Sequence, residues 1–205
     1  MGLTAKQLKA SLDALGKIEP AFAAARAQIG DPEPRIRERG YETLLRAIVS
    51  QQVSVKAAAS ILAKVEAATG GIADPAKVAA TSDEALRAAG LSRQKISYVK
   101  SLAEEVLSGR LDFANLPEDD EEAIAALTRV KGIGRWSAEV YLLFAEGRAD
   151  VWPAGDLAVQ IEVGRILGLE ARPTEKRVRE LAEAWRPHRG AAAIFAWHHR
   201  HIVPV

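Results

Sequence analysis

Cysteine is absent from the 205 residues, which excludes a disulfide framework, thiolate zinc sites and cysteine-ligated iron–sulfur clusters. No apolar run is long enough to span a bilayer, and the opening M-G-L-T-A-K-Q-L-K-A lacks the apolar core of a signal peptide. The expected address is therefore the cytoplasm, with no membrane partner. Neither sign of charge dominates: 28 Lys and Arg stand against 27 Asp and Glu, a net charge of +1. That balance argues neither for nor against nucleic acid, and any basic footprint must be local. Internal repeats and low-complexity tracts are missing, and strand signals barely occur. What remains is 48% apolar and 27% charged residues, the make-up of a soluble globular protein long enough to bury a real core.

Helix signals run from end to end. Lys6 to Gln28 has apolar residues at helical spacing with a break at Pro20. Asp31 to Pro34, D-P-E-P, reads as a linker, because two prolines and the residues before them disfavour helix. Tyr41 to Ser50 and Ser54 to Ala68 follow as amphipathic helices, the second stopped by Gly70 and Gly71. Thr81 with Glu84 fits a capping box, and Ser92 can cap the helix that ends at Gly109. The acids of Pro117 to Glu122 suit a first helical turn. Further helices are expected to about Glu146, from Asp156 to Leu167, from Thr174 to Ala184 and from Pro187 to His201. The fold class is all-α.

One turn stands apart. A-I-A-A-L-T-R-V leads into K-G-I-G and then R-W-S-A-E-V-Y-L-L-F-A, a helix, a tight glycine turn and a helix. Glycine tolerates positive φ and close approach, and Ile133 between the two can plug into the core. Amides at the start of the second helix suit a phosphate oxygen. A plain connection with glycine as C-cap would account for the turn alone.

V-x-G-I-G-x-x-[ST]-A with an aspartate beyond the second helix, together with the upstream S-Q-Q-V-S, resembles the helix-hairpin-helix DNA glycosylase superfamily. The resemblance spans Y-E-T-L-L-R-A-I-V-S to A-A-I-F-A-W-H and is nearest the 3-methyladenine DNA glycosylase II branch, which removes alkylated purines. It implies two helical subdomains with a lesion-binding cleft between them: residues 33–151, carrying the hairpin at about 128–136, and residues 1–32 plus 152–205. It also implies a monomer acting on double-stranded DNA in the nucleoid, with no required cofactor. Backbone N–H groups of Gly132, Gly134 and Trp136, helped by Lys131 and Arg135, would hold a phosphate. Main-chain carbonyls of Thr128, Val130 and Ile133 would hold an optional Na+ or K+, although Lys131 stands where many relatives have proline.

Relatives that also cut the backbone carry a lysine nucleophile at the position of Trp136, and tryptophan has none. The resemblance is thus to the monofunctional class, in which water attacks. A purine methylated at N3 or N7 is cationic and is attracted to an indole face. Trp136 and Trp197 are the expected pocket aromatics, and Trp152 and Trp185 are expected to be structural. Asp156 matches the family's catalytic aspartate; it also reads as an N-cap, and the two roles are compatible because a capping carboxylate is held rigid. Gln52 falls at the duplex wedge, with Gln51 fixing the turn. Arg93, Lys95 and Lys100 are further phosphate candidates, although taken singly each is better explained by a solvated surface.

Three features depart from the larger bacterial enzymes of the branch: no room for their N-terminal sheet domain, Val140 in place of an aromatic, and Gly155 where some have a second acid. They suggest a more open pocket, accepting 3-methyladenine, 7-methylguanine and even 1-methyladenine or 3-methylcytosine. Two rival readings stay open, a non-catalytic hairpin DNA-binding protein and a bifunctional oxidised-purine glycosylase/lyase. A metal hydrolase built on His198, His199 and His201 lacks carboxylates at ligand spacing.

Overall fold

A computed structural model describes residues 2–203, and every regular element among them is helical. In chain order these are α1 (Ala5–Ile18), α2 (Pro20–Ile29), α3 (Tyr41–Ser50), α4 (Val55–Thr69), α5 (Pro75–Ala80), α6 (Asp83–Ala88), α7 (Arg93–Leu107), α8 (Asp120–Thr128), α9 (Arg135–Tyr141), α10 (Leu157–Ile166), α11 (Glu175–Ala182) and α12 (Arg189–Ile202). A π-helical turn, Leu142–Glu146, continues α9 directly. Among the described residues no helix is long and apolar enough to cross a membrane.

Local chemistry explains most boundaries. Thr4 and Gln7 form a reciprocal capping box at α1, and Pro20 occupies the first turn of α2, where its missing N–H costs nothing. Ser54 caps α4, Ser92 caps α7 and Asp119 caps α8. The expected box at Thr81 lies one residue too early. Ser82 caps α6 by accepting from the Ala85 N–H, while the Thr81 hydroxyl turns back to the Lys77 carbonyl. Thr81 closes α5, a helix not anticipated from periodicity because it is only six residues long.

The chain divides into two compact units, Glu38–Ala138 and Met1–Arg37 with Glu139–Val205. The sequence reading put the divisions at 32/33 and 151/152. The difference arises because the stretch after Ala138 joins the terminal unit. Leu143 and Phe144 enter its core, the Arg37 N–H donates to the Phe144 carbonyl (2.9 Å), and Arg189 grips Asp150.

In the central unit α3 packs on α4 and α7, and α5 on α7. Leu44, Leu45, Ile48, Val65, Val99, Leu102 and Leu127 are fully buried there. The terminal unit packs α1 on α2 and α10 on α12 around an aromatic centre. Trp185 meets Phe22 at 5.1 Å and Trp152 at 5.6 Å, both edge-on. Trp152 and Trp185 are thus core residues. The start of α12 is packed tightly: a side-chain carbon on Gly190 would come within 2.6 Å of the Ala149 carbonyl, and Ala191, Ala192, Ala193 and Ala196 are wholly buried.

Candidate functional site

The hairpin belongs to the central unit as far as Ala138. Ile133 is buried (4% exposed) and its N–H donates to the Val130 carbonyl at 3.0 Å, so the turn is anchored by its own middle residue. The two glycines do different work. Gly132 has φ +82, and a side-chain carbon there would fall 2.1 Å from the Tyr98 ring. Gly134 does not lie at positive φ, and nothing stands within 4 Å of the place where its side chain would be. Folding therefore requires Gly132, while Gly134 keeps open space beside the start of α9.

Three side chains hold this turn: Gln51, expected from the sequence to fix it, and Tyr98 and Ser101, which sequence reasoning did not single out. Tyr98 packs on Gly132, Ser101 accepts the Lys131 N–H through Oγ (3.1 Å), and Gln51 donates Nε2 to the Gly132 carbonyl (3.0 Å). Tyr98 and Ser101 lie three apart on α7, a spacing that puts them on one face. The cation candidates Thr128, Val130 and Ile133 bracket the same turn, and the Val130 carbonyl already accepts from Ile133.

Gln52 follows Gln51 at an exposed corner with φ 54, a left-handed conformation unusual for a residue with a side chain. Val53 and Val55 beside it are exposed as well. Trp136, second residue of α9, is 49% exposed. Lys131 is exposed, and Arg135 forms a two-pronged ion pair with Glu121 across the hairpin. Lys95 donates to the Val49 carbonyl at 2.7 Å, and burial lowers its proton affinity. Lys100 pairs with Asp83. The cations Arg135, Lys95 and Lys100 thus all have partners within the protein.

The terminal unit carries the carboxylate. Asp156 is half-buried and caps α10: its side chain accepts the Val159 N–H at 3.0 Å. Its own N–H donates to the Pro153 carbonyl at 2.9 Å, and Gln160 ties back to the Ala154 carbonyl at 2.8 Å. The loop before the cap is fixed from both sides. Trp197 on α12 is half-buried against Phe144, with ring centroids 5.6 Å apart. Both line a cavity of about 280 Å³ with Pro32, Arg35, His198 and His201; Asp156 is not among its lining residues. The helix that bears Asp156 is tied to α12 by a buried carboxylate. Glu162 meets His199 Nδ1 at 2.7 Å, and Arg165 and Arg200 also reach it. His199 is thereby committed to a hydrogen bond inside the unit. Among the described residues no group of His, Asp and Glu is arranged to hold a metal ion.

Comparison with known proteins adds an independent finding. Residues 45–187 match the model of the HhH-GPD superfamily of base excision DNA repair proteins. DNA-3-methyladenine glycosylase 1 of Schizosaccharomyces pombe is 36% identical over 165 residues, covering 78% of this chain and 72% of that protein. The crystal structure of a DNA-3-methyladenine glycosidase from Bacillus halodurans superposes with a TM-score of 0.85 at 33% identity, over 91% of this chain and 87% of that one. The S. pombe 3-methyladenine DNA glycosylase Mag1, solved in complex with abasic DNA, superposes with a TM-score of 0.75 at 32% identity, over 91% and 94%.

Proposed function

The chain belongs to the HhH-GPD superfamily of base excision DNA repair proteins, and we propose that it is a monofunctional glycosylase that hydrolyses the N-glycosidic bond of alkylated bases in DNA. DNA is its partner, in keeping with the abasic DNA bound by the S. pombe relative. The observation that carries the reading is the Asp156 carboxylate, fixed as a helix cap in a loop braced on both sides.

Breaking the bond between sugar and base builds positive charge on the sugar. A fixed carboxylate favours that charge without reorganising, and it can orient or deprotonate the attacking water. The water oxygen bonds to the anomeric carbon while the bonding pair leaves with the base. A base alkylated at N3 or N7 is already cationic and departs neutral, so no strong general acid is required. Trp136 has no amine to form a Schiff base with the sugar, which supports water as the nucleophile and an intact backbone as the outcome.

The target nucleotide must leave the stack, at a cost of about a few kcal/mol. Gln52, at the exposed corner of its loop, suits insertion into the gap, and Gln51 braces that loop on the hairpin. Open space at Gly134 suits a DNA phosphate approaching the amides of Gly132, Gly134 and Trp136, with Lys131 and, on exchange of its partner, Arg135 beside it. A monovalent cation on the Thr128, Val130 and Ile133 carbonyls would strengthen the same contact. Trp136 and Trp197 supply indole faces for a cationic base. The substrate range extends beyond 3-methyladenine and 7-methylguanine to 1-methyladenine and 3-methylcytosine, a breadth suggested by Val140 in place of the aromatic of the larger enzymes of the branch. The enzyme acts as a monomer.

Incubation with alkylated duplex DNA and identification of the released bases tests this reading. Free alkylpurine in the supernatant supports it; alkylated DNA recovered without base loss would overturn it.

A further inference from the structure

Gly155 precedes Asp156 and offers no side chain, yet a carboxylate from elsewhere in the same unit reaches it. Glu175, the first residue of α11, places Oε2 3.5 Å from the point where a side-chain carbon on Gly155 would stand. Arg179, one turn further along α11, donates Nε (3.1 Å) and Nη2 (2.8 Å) to Oε1 of the same group. One carboxylate oxygen is tied down, and the other is the nearest atom to the place a side-chain carbon on Gly155 would occupy. Arg179 is braced in its own right: Nη2 lies 3.8 Å from Oε1 of Glu139, an acid only 2% exposed. A carboxylate buried to that degree calls for a counter-charge, so Glu139 and Glu175 together hold the Arg179 guanidinium.

An ion pair between residues four apart on a helix surface contributes little to stability. Its geometric effect here is larger. It turns a flexible glutamate into an oriented negative charge one residue from Asp156.

We propose that Glu175 is the second carboxylate of the glycosylase site, a positioning residue delivered by α11 to the turn that carries Asp156. The proposal rests on the reading of Asp156 given above. Two negative groups at this turn deepen the field in which the sugar cation develops, and Glu175 acts on the reaction through that field without touching the base. Gly155 leaves the space that Glu175 uses. Its backbone lies outside the left-handed region, and a side chain there would meet Glu175 at ordinary contact distance, so an acid at 155 is sterically allowed.

The test relocates the charge. Single-turnover base release from alkylated duplex, affinity for abasic-site DNA and thermal melting are measured for wild type, E175Q, E175D and E175Q/G155D. Removing the charge in E175Q is expected to slow release about tenfold, the scale of a charge pair several ångströms apart in a partly solvated site. Affinity and melting stay as in wild type. E175D keeps most of the rate, and E175Q/G155D recovers most of what E175Q loses. A rate for E175Q equal to wild type overturns the proposal. So does a folded E175Q/G155D no faster than E175Q, or an E175D as slow as E175Q, since either outcome makes Glu175 a structural residue. If instead the wild type releases no base, the glycosylase reading itself falls, and this proposal with it.

Discussion

The side-chain amide of Gln51 donates to the main-chain carbonyl of Gly132 across 81 residues of sequence, at 3.0 Å. One bond thus joins the loop proposed to enter the duplex to the turn proposed to hold its phosphate. Gln51→Ala removes the donor while leaving Gln52 in place. The expected result is weaker binding and slower base release together, by about three- to tenfold, the equivalent of one hydrogen bond. Loss of release alone would separate the two segments.

Asp156→Asn keeps an oxygen able to cap α10 and removes the charge. Base release should fall by at least about a thousandfold, as expected where a fixed charge supplies much of the transition-state stabilisation. Affinity for abasic-site DNA should stay within a few-fold of wild type. Release at a near wild-type rate would sink the assignment.

The hairpin glycines should separate fold from function. Gly132→Ala forces a carbon into the Tyr98 ring at a positive φ and should destabilise the protein by about 3 kcal/mol, read from the denaturant midpoint. Gly134→Ala meets nothing and should melt like wild type, yet weaken DNA binding by about tenfold by crowding a helix-start phosphate site. Equal stability losses at both positions would remove the distinction.

Borohydride added during turnover should trap no protein–DNA adduct, because Trp136 offers no amine. A covalent band on a denaturing gel would favour the lyase alternative. In the same duplex-binding assays, affinity should fall steeply with added salt.

Acid should weaken one tie at the start of the D-P-E-P segment. Arg26 donates to Asp31 and Asp13, and its hydrogen bond holds the Asp31 carboxyl below its ordinary value of 3.8. A depressed folded value means that the contribution is complete above the unfolded value and fades as pH drops through the lower, folded one. Asp31→Asn should therefore lower the urea midpoint at neutral pH, with the gap closing in acid as the pH falls through the lowered folded value. A gap unchanged in acid would show that the ion pair contributes nothing.

Much of this architecture was legible from local chemistry. The helix over Tyr41–Ser50, the Ser92 cap and the break at Pro20 each depend on neighbours in sequence, and each stands where periodicity and capping chemistry put it. Thr81 and Ser82 are both competent caps, and only the packed helix chooses between them. The π-turn after α9 leaves no mark in the apolar pattern. At the site, the glycine turn stood out by its residues, and the family resemblance pointed to Asp156 and Trp136. Gln51 was expected to fix the turn, but Tyr98 and Ser101, which also hold the hairpin, were hidden because they reach it from a distant part of the chain. Glu175 lies 19 positions beyond Asp156 (175 − 156 = 19), on a different helix, and only the fold brings it back.

The glycine and alanines that open α12 leave almost no slack. Adding even a methyl group at Gly190 meets a carbonyl oxygen at 2.6 Å, and the alanines beyond it are sealed from solvent. Evolution can therefore retune this enzyme through the outward residues of its last helix, but its inner stripe is confined to the smallest side chains, and altered lesion preference must originate elsewhere.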